Sequence, residues 1–232
     1  MKLLDLFCGA GGAGYGYHLA GFDVVGVDIE PMPNYPFTFV QGDALEYLRL
    51  HGDRYDVIHA SPPCQAYSEA TPITTKGKHP KLIKPVRELL LSIGKPYVIE
   101  NVEGSRSELV NPVMLCGSMF GLKVWRHRYF EIYPLWAMSP ASCRHVGHPV
   151  TINPPKNARK NQGKRDFEKE KLAMEISWMN PAEISQAIPP AYTKYIGGLL
   201  LANTALLSNT ACTRQGAAVA PSSNNLGFAP CG

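Results

Sequence analysis

The first twenty-two residues constrain the fold most. "KLLDLF" is a short apolar run, the glycines of "CGAGGAG" follow it, and "YGYHLAGF" has helical spacing, so the segment reads as strand, tight turn and helix. Three more β-branched runs, "DVVGVDI", "FTFVQGD" and "YDVIHASPP", come at intervals of roughly 15–20 residues. Residues 82–94, "LIKPVRELLLSIG", predict a helix that ends at Gly94; "PYVIENV" predicts a fifth strand and "RYFEIYP" at 128–134 a sixth. Strands that alternate with helix-length segments imply parallel βαβ units, hence an α/β fold.

The pattern dissolves after residue 134. Over 135–180 periodicity gives way to scattered Pro, Asn, Lys and His, which reads as a loop-rich insert. "PAEISQAIPPAYTKYIGGLLLAN" then restores helical periodicity. The expected organisation is a core over 1–134, an insert over 135–180, a C-terminal helix over 181–207 that returns to the core, and a disordered tail over 208–232. The 232 residues suit one domain with a modest insertion. "MKLLDLF" turns acidic and meets glycine too early for a secretory leader or a membrane span, so a cytoplasmic protein is expected, without a membrane partner and monomeric. Six cysteines, at 8, 64, 116, 143, 212 and 231, form no C-x-x-C pair, which favours reduced thiols. The net charge of +4 is local: residues 156–171 hold seven Lys/Arg against three Asp/Glu. Such a block is either a solvated face or a phosphate-binding element.

The first turn contains Gly9-x-Gly11-x-x-Gly14, and Asp28 closes the second strand. Glycines let a backbone approach a cofactor at a helix N-terminus, and a carboxylate there accepts hydrogen bonds from ribose hydroxyls. An adenosine cofactor is expected. The turn alone leaves NAD and S-adenosyl-L-methionine both open.

A second feature is "HASPPCQAYS" at 59–68, where a lone cysteine stands directly behind two prolines at a strand end. Pro62 and Pro63 restrict the backbone before Cys64. A thiol held in this way on a rigid, reachable turn is expected to be reactive, with its pKa lowered.

The order "DLFCGAGG", "SPPCQAYS", "ENV", "RHR", "SQAIPPAY" resembles the DNA cytosine-5 methyltransferase family over residues 3 to about 202. The resemblance implies a Rossmann-like S-adenosyl-L-methionine-dependent methyltransferase fold with a short target-recognition insert. It implies Cys64 as nucleophile, Glu100 of "ENV" as the acid, and Arg126 and Arg128 of "RHR" as the groups that hold the base. Cofactor contacts are implied for Phe7, Gly9, Gly11, Gly12, Asp28, Ile29, Asp43, Ala44 and Pro63, and for Ser185 and Gln186 in the C-terminal motif. The implied partner is double-stranded DNA with a flipped cytosine.

The chemistry agrees with these assignments. Cytosine C5 is a poor nucleophile, so methylating it requires a thiolate to add first at C6 while a carboxyl group supplies a proton at N3. Two departures from the family pattern stand out. Ser185-Gln186 replaces the usual Gly-Asn, and only about 45 residues separate "RHR" from the C-terminal motif. Within the insert, "CRHVGH" places Cys143, His145 and His148 close together, and Cys116 is a distant fourth candidate for zinc. The spacing is not a standard one, so no metal is expected and the histidines are read as touching phosphate or water. The rival functions are a tRNA cytosine-5 methyltransferase and an NAD-dependent oxidoreductase.

Overall fold

The computed structural model describes residues 1–69, 71–135, 137–152 and 165–215. Chain contacts divide it into units 1–199 and 200–232, and the sheet belongs to the first. Strands β1 (Lys2–Leu6), β2 (Asp23–Asp28), β3 (Thr38–Gln41), β4 (Val57–Ala60), β5 (Tyr97–Asn101), β6 (Val113–Leu115) and β7 (Arg128–Tyr133) form one sheet in the order β3-β2-β1-β4-β5-β7-β6. β1 to β5 run parallel, and β7 runs antiparallel to both β5 and β6.

The parallel strands are apolar because helices cover both faces. Every residue of β4 and β5 is buried, and Leu3, Leu4 and Leu6 of β1 are fully enclosed. Between them run α1 (Gly12–Ala20), α2 (Ala44–His51), a single turn α3 (Ile73–Lys76) and α4 (Ile83–Ile93). α4 buries Ile83, Val86 and Leu90, an i, i+3, i+7 stripe, and stops at Gly94 with φ of 73°. Chain order reverses between β1 and β4, so the loops that leave these two strands open a crevice at their carboxyl edge, where ligands bind in open α/β sheets. The glycine turn and the Cys64 loop are those two loops.

The six expected strands form, joined by β6, whose three residues are too few to show a period. The insert differs from its loop-rich expectation at its far end. α5 (Phe167–Met174) forms there, and Met174, Ile176 and Met179 enter the core. Its inward face includes Glu170, which the Arg165 guanidinium neutralises through both carboxylate oxygens. A charge on the buried side hides the helical stripe from a hydrophobicity reading.

The same pairing bears on the basic block. Arg165 is committed to Glu170, Lys169 to Asp166 and Lys171 to Glu168; residues 156–164 lie outside the described residues. α6 (Pro181–Gln186) begins with a capping box between Asn180 and Glu183. After a break at 187–189, α7 runs over Pro190–Gln215, past the expected start of a tail at 208; residues 216–232 are outside the described residues. α7 approaches α1 closely: a Cβ on Gly16 would lie 2.1 Å from the Pro190 carbonyl, so only glycine fits.

Candidate active site

β4 ends at Ala60, and Ser61-Pro62-Pro63-Cys64 leaves the sheet edge beside the end of β5. Two sets of bonds hold this loop. The Cys64 carbonyl accepts from the amides of Tyr67 and Ser68, which makes a tight turn behind the thiol. The Pro62 carbonyl accepts from Asn101 Nδ2 at 2.7 Å, and Asn101 Oδ1 accepts from the Val102 amide. Asn101 is buried and is the middle residue of "ENV", so the strand that carries the candidate acid also pins the nucleophile loop.

Glu100 is 5% exposed. Arg128 Nε lies 3.0 Å from its Oε1, and Ser61 hydrogen-bonds its carboxylate. Burial nonetheless raises the Glu100 pKa above the usual carboxylate range, with Arg128, Ser61 and Arg126 opposing it. The Arg128 contact is an ion pair without hydrogen-bond geometry, which leaves Oε1 buried and without a hydrogen-bond partner.

Arg126 is half-buried. Its Nη2 donates to the Ser185 carbonyl at 2.7 Å, its own carbonyl accepts from Tyr192 Oη at 2.6 Å, and its Nε has no partner. Burial and the Arg128 charge bring its pKa down to about 9. Arg128 Nη1 donates to the His127 carbonyl, which fixes the guanidinium over Glu100. An open cleft of about 330 Å³ lies in front, lined among others by Glu103, Trp125, Arg126 and Arg128.

Cys64 is half-buried and feels all three of these charged groups. Its pKa is raised, contrary to the expectation of a lowered one. Burial is the largest cause, Glu100 adds to it, and Arg128 and Arg126 only partly offset them. A sequence displays the arginines but not the desolvation.

Across the crevice, the glycine turn is left-handed at Phe7 (φ 56°), Gly9 (φ 48°) and Gly11 (φ 85°). Asp28 Oδ2 accepts from the Gly9 amide at 2.9 Å and Oδ1 from the Glu30 amide, so the carboxylate is clamped at the end of β2. Ile29 beside it is 64% exposed, an apolar side chain without cover. Asp43 caps α2 by accepting from the Glu46 amide, and Ala44 is the first, buried residue of that helix. Gly12 does not line the open side: a Cβ there would meet the Ile188 carbonyl at 2.5 Å, so this glycine serves helix packing. Ser185 and Gln186 end α6; the Ser185 hydroxyl donates to Ala182, and its carbonyl reaches Arg126 rather than the glycine turn. Trp178, which the motifs do not flag, donates from Nε1 to the Ala10 carbonyl and lies against Tyr15.

The adenosine-side residues fit such a group. A fixed carboxylate faces the crevice, an uncovered apolar side chain lies next to it, and at Gly9 a Cβ would meet nothing, so the turn is open toward the same space. A second cluster stands beside the arginines. Cys116, His127, Cys143 and His145 bring one ligand atom each to within 4.8 Å of one another. His148, expected near the two insert residues, is outside it, and His127 from between the two arginines takes its place.

Residues 1–109 match the family model described as C-5 cytosine-specific DNA methylase. The chain is 32% identical over 129 residues to Type II methyltransferase M.AquIA of Picosynechococcus sp., covering 44% of this chain and 49% of that protein. It is 32% identical over 117 residues to Type II methyltransferase M.FnuDI of Fusobacterium nucleatum, covering 47% and 34%. The chain thus spans half or less of the length of these curated relatives. Among solved structures, the S. pombe Dnmt2 methyltransferase aligns with a TM-score of 0.55 at 13% identity, over 88% of this chain and 99% of that one. The Entamoeba histolytica methyltransferase EhMeth aligns at 0.56 and 13%, over 86% and 96%. At such identity the likeness is one of fold, a Rossmann-like methyltransferase sheet.

Proposed function

We propose that this chain, whose residues 1–109 match the C-5 cytosine-specific DNA methylase model, methylates C5 of a flipped cytosine in double-stranded DNA through a covalent Cys64 adduct. The observation that carries this reading is a pair of buried atoms without hydrogen-bond partners, Glu100 Oε1 and Arg126 Nε. Glu100 Oε1 has only the Arg128 ion pair and Arg126 Nε lacks a hydrogen-bond partner; buried polar atoms short of a hydrogen bond are costly unless a ligand completes them. A cytosine offers the complement: N3 for the acid, and the O2 carbonyl for the guanidinium.

Burial raises the Glu100 pKa, against the opposing arginines, and so eases its protonation when it meets a base. A neutral Glu100 donates to N3 and also removes one of the two influences that raise the Cys64 pKa. The flanking arginines then favour the thiolate, which adds at C6. Electron density moves to C5, where S-adenosyl-L-methionine, when bound, supplies a methyl group as a sulfonium electrophile. Loss of the C5 proton allows Cys64 to leave and restores the aromatic ring.

Asp28 and Ile29 are the proposed ribose and adenine contacts, with Asp43, Phe7 and the Gly9–Gly11 turn around them. The 135–180 insert is the proposed target-recognition element. Incubation with labelled S-adenosyl-L-methionine and either duplex DNA or tRNA, followed by nucleoside mass spectrometry, tests the reading. The expected product is 5-methylcytosine in DNA. Product in tRNA alone would assign the rival substrate, and no methylation of either would end the proposal.

A further inference from the structure

We propose that Cys116, His127, Cys143 and His145 form a tetrahedral zinc site that ties the start of the insert to the arginine motif. Four ligand atoms from three separate segments converge. Cys116 follows β6, His127 sits between Arg126 and Arg128, and Cys143 and His145 belong to the insert.

Four of the six spacings between ligand atoms are close to those of a metal shell, and all six lie within 4.8 Å. His127 Nε2 and His145 Nε2 are 3.2 Å apart, Cys143 Sγ lies 3.1 Å from His145 Nε2 and 3.4 Å from His127 Nε2, and Cys116 Sγ lies 3.3 Å from His145 Nε2. Zinc bonds of about 2.0 Å to nitrogen and 2.3 Å to sulfur, at tetrahedral angles, set N···N near 3.3 Å and N···S near 3.5 Å. Hydrogen bonds alone satisfy this cluster poorly. His145 Nε2 faces three partners at once, and a neutral imidazole nitrogen either donates one proton or accepts with one lone pair. A cation at the centre gives every atom the same role.

The surroundings have the character of an outer shell. Ser118 Oγ donates to Cys116 Sγ at 3.3 Å and lies 3.7 Å from Cys143 Sγ, while the Arg144 amide donates to Ser118 Oγ. The His145 ring stacks on Trp125 with centroids 4.4 Å apart and planes 6° from parallel. Such contacts orient ligands and fix ring planes. The two-sulfur, two-nitrogen set selects zinc over the hard cations that prefer oxygen. Binding is balanced: both cysteines enter as thiolates and release two protons, so the two thiolates cancel the metal's charge.

The geometry gives this site a positioning role. His127 is flanked by the two arginines proposed to hold the base, so anchoring it fixes where they emerge and secures Cys143 and His145 of the insert against them. This second half rests on the functional reading above; metal content does not, so the two can fail separately.

The test is elemental analysis of the full chain purified without chelators, with X-ray absorption at the zinc edge. About one zinc per chain is expected, with a first shell of two sulfurs near 2.3 Å and two nitrogens near 2.0 Å. Cys116→Ser/Cys143→Ser should reduce the zinc content at least tenfold, and His148→Ala should retain it. Because the double variant could misfold, chelation of the wild-type protein supplies an independent reading: amide exchange at 125–128 and 140–148 should speed up about tenfold or more. Zinc-free protein from zinc-sufficient cells, an oxygen-dominated shell, or a Cys116–Cys143 disulfide seen as a loss of two hydrogens in mass would overturn the site.

Discussion

Asn101 Nδ2 donates to the Pro62 carbonyl at 2.7 Å, so the strand that ends in the candidate acid also holds the loop of the candidate nucleophile. The bond is buried, and its loss would leave the carbonyl unpaired at a cost of about 1–3 kcal/mol. Asn101→Ala is therefore expected to lower stability by that order and to reduce kcat with little change in cofactor affinity, because the Asp28 side of the crevice does not depend on it. Denaturant titration with steady-state kinetics reads both. An unchanged kcat would show that the loop keeps its position without Asn101.

Asp28 accepts from the Gly9 and Glu30 amides, so it shapes the turn as well as facing the crevice. Asp28→Asn keeps one accepting oxygen and removes the charge; affinity for S-adenosyl-L-methionine should fall by roughly 1.5–3 kcal/mol, the range for hydrogen bonds to charged groups. Calorimetric titration against S-adenosyl-L-methionine and NAD measures this. Binding of NAD in preference would point to the oxidoreductase alternative.

His59 gives a pH dependence. It is fully buried on β4, between Tyr17 Oη at 3.0 Å and Ser61 Oγ at 2.8 Å, and Ser61 continues to Glu100. Burial depresses its pKa from 6.5 to about 3. The folded state holds it neutral, so its contribution is complete above pH 6.5 and is lost as pH falls from 6.5 toward 3, by up to about 1.4 kcal/mol per unit. Unfolding free energies between pH 7 and 5 should decline less steeply in His59→Gln than in the wild-type protein. Equal slopes would place the acid sensitivity elsewhere.

The parallel half of the fold was legible because buried strands are nearly continuous apolar runs and their helices end at glycines such as Gly94. α5 was not, because Glu170 occupies its buried side and is neutralised by a residue outside the helix. The motifs single out Cys64 and Glu100, and the structure puts them at neighbouring strand ends, but the direction of the Cys64 pKa shift was not legible, since desolvation depends on neighbours that the chain order does not reveal. Asn101 was quoted within "ENV" without a role: its partner, the Pro62 carbonyl, is a backbone atom that carries no side-chain signature. Of the Cys–His cluster, Cys116, Cys143 and His145 stand in the sequence with His148 as a non-standard set from which no metal is expected. His127 carries no such signal in the sequence, because it stands between two arginines, far from the other ligands along the chain.

The covalent step remains the most direct test. Duplex DNA in which 5-fluorocytosine replaces cytosine, incubated with the protein and S-adenosyl-L-methionine, cannot lose a C5 proton, so the bond to Cys64 should persist. A protein–DNA adduct stable to denaturing electrophoresis is expected, with the modified peptide containing Cys64. Cys64→Ala should abolish it while the fold and cofactor binding survive, since the half-buried side chain leaves no large cavity. An adduct of undiminished yield in Cys64→Ala, or 5-methylcytosine made by that variant, would contradict the assignment of Cys64 as the nucleophile.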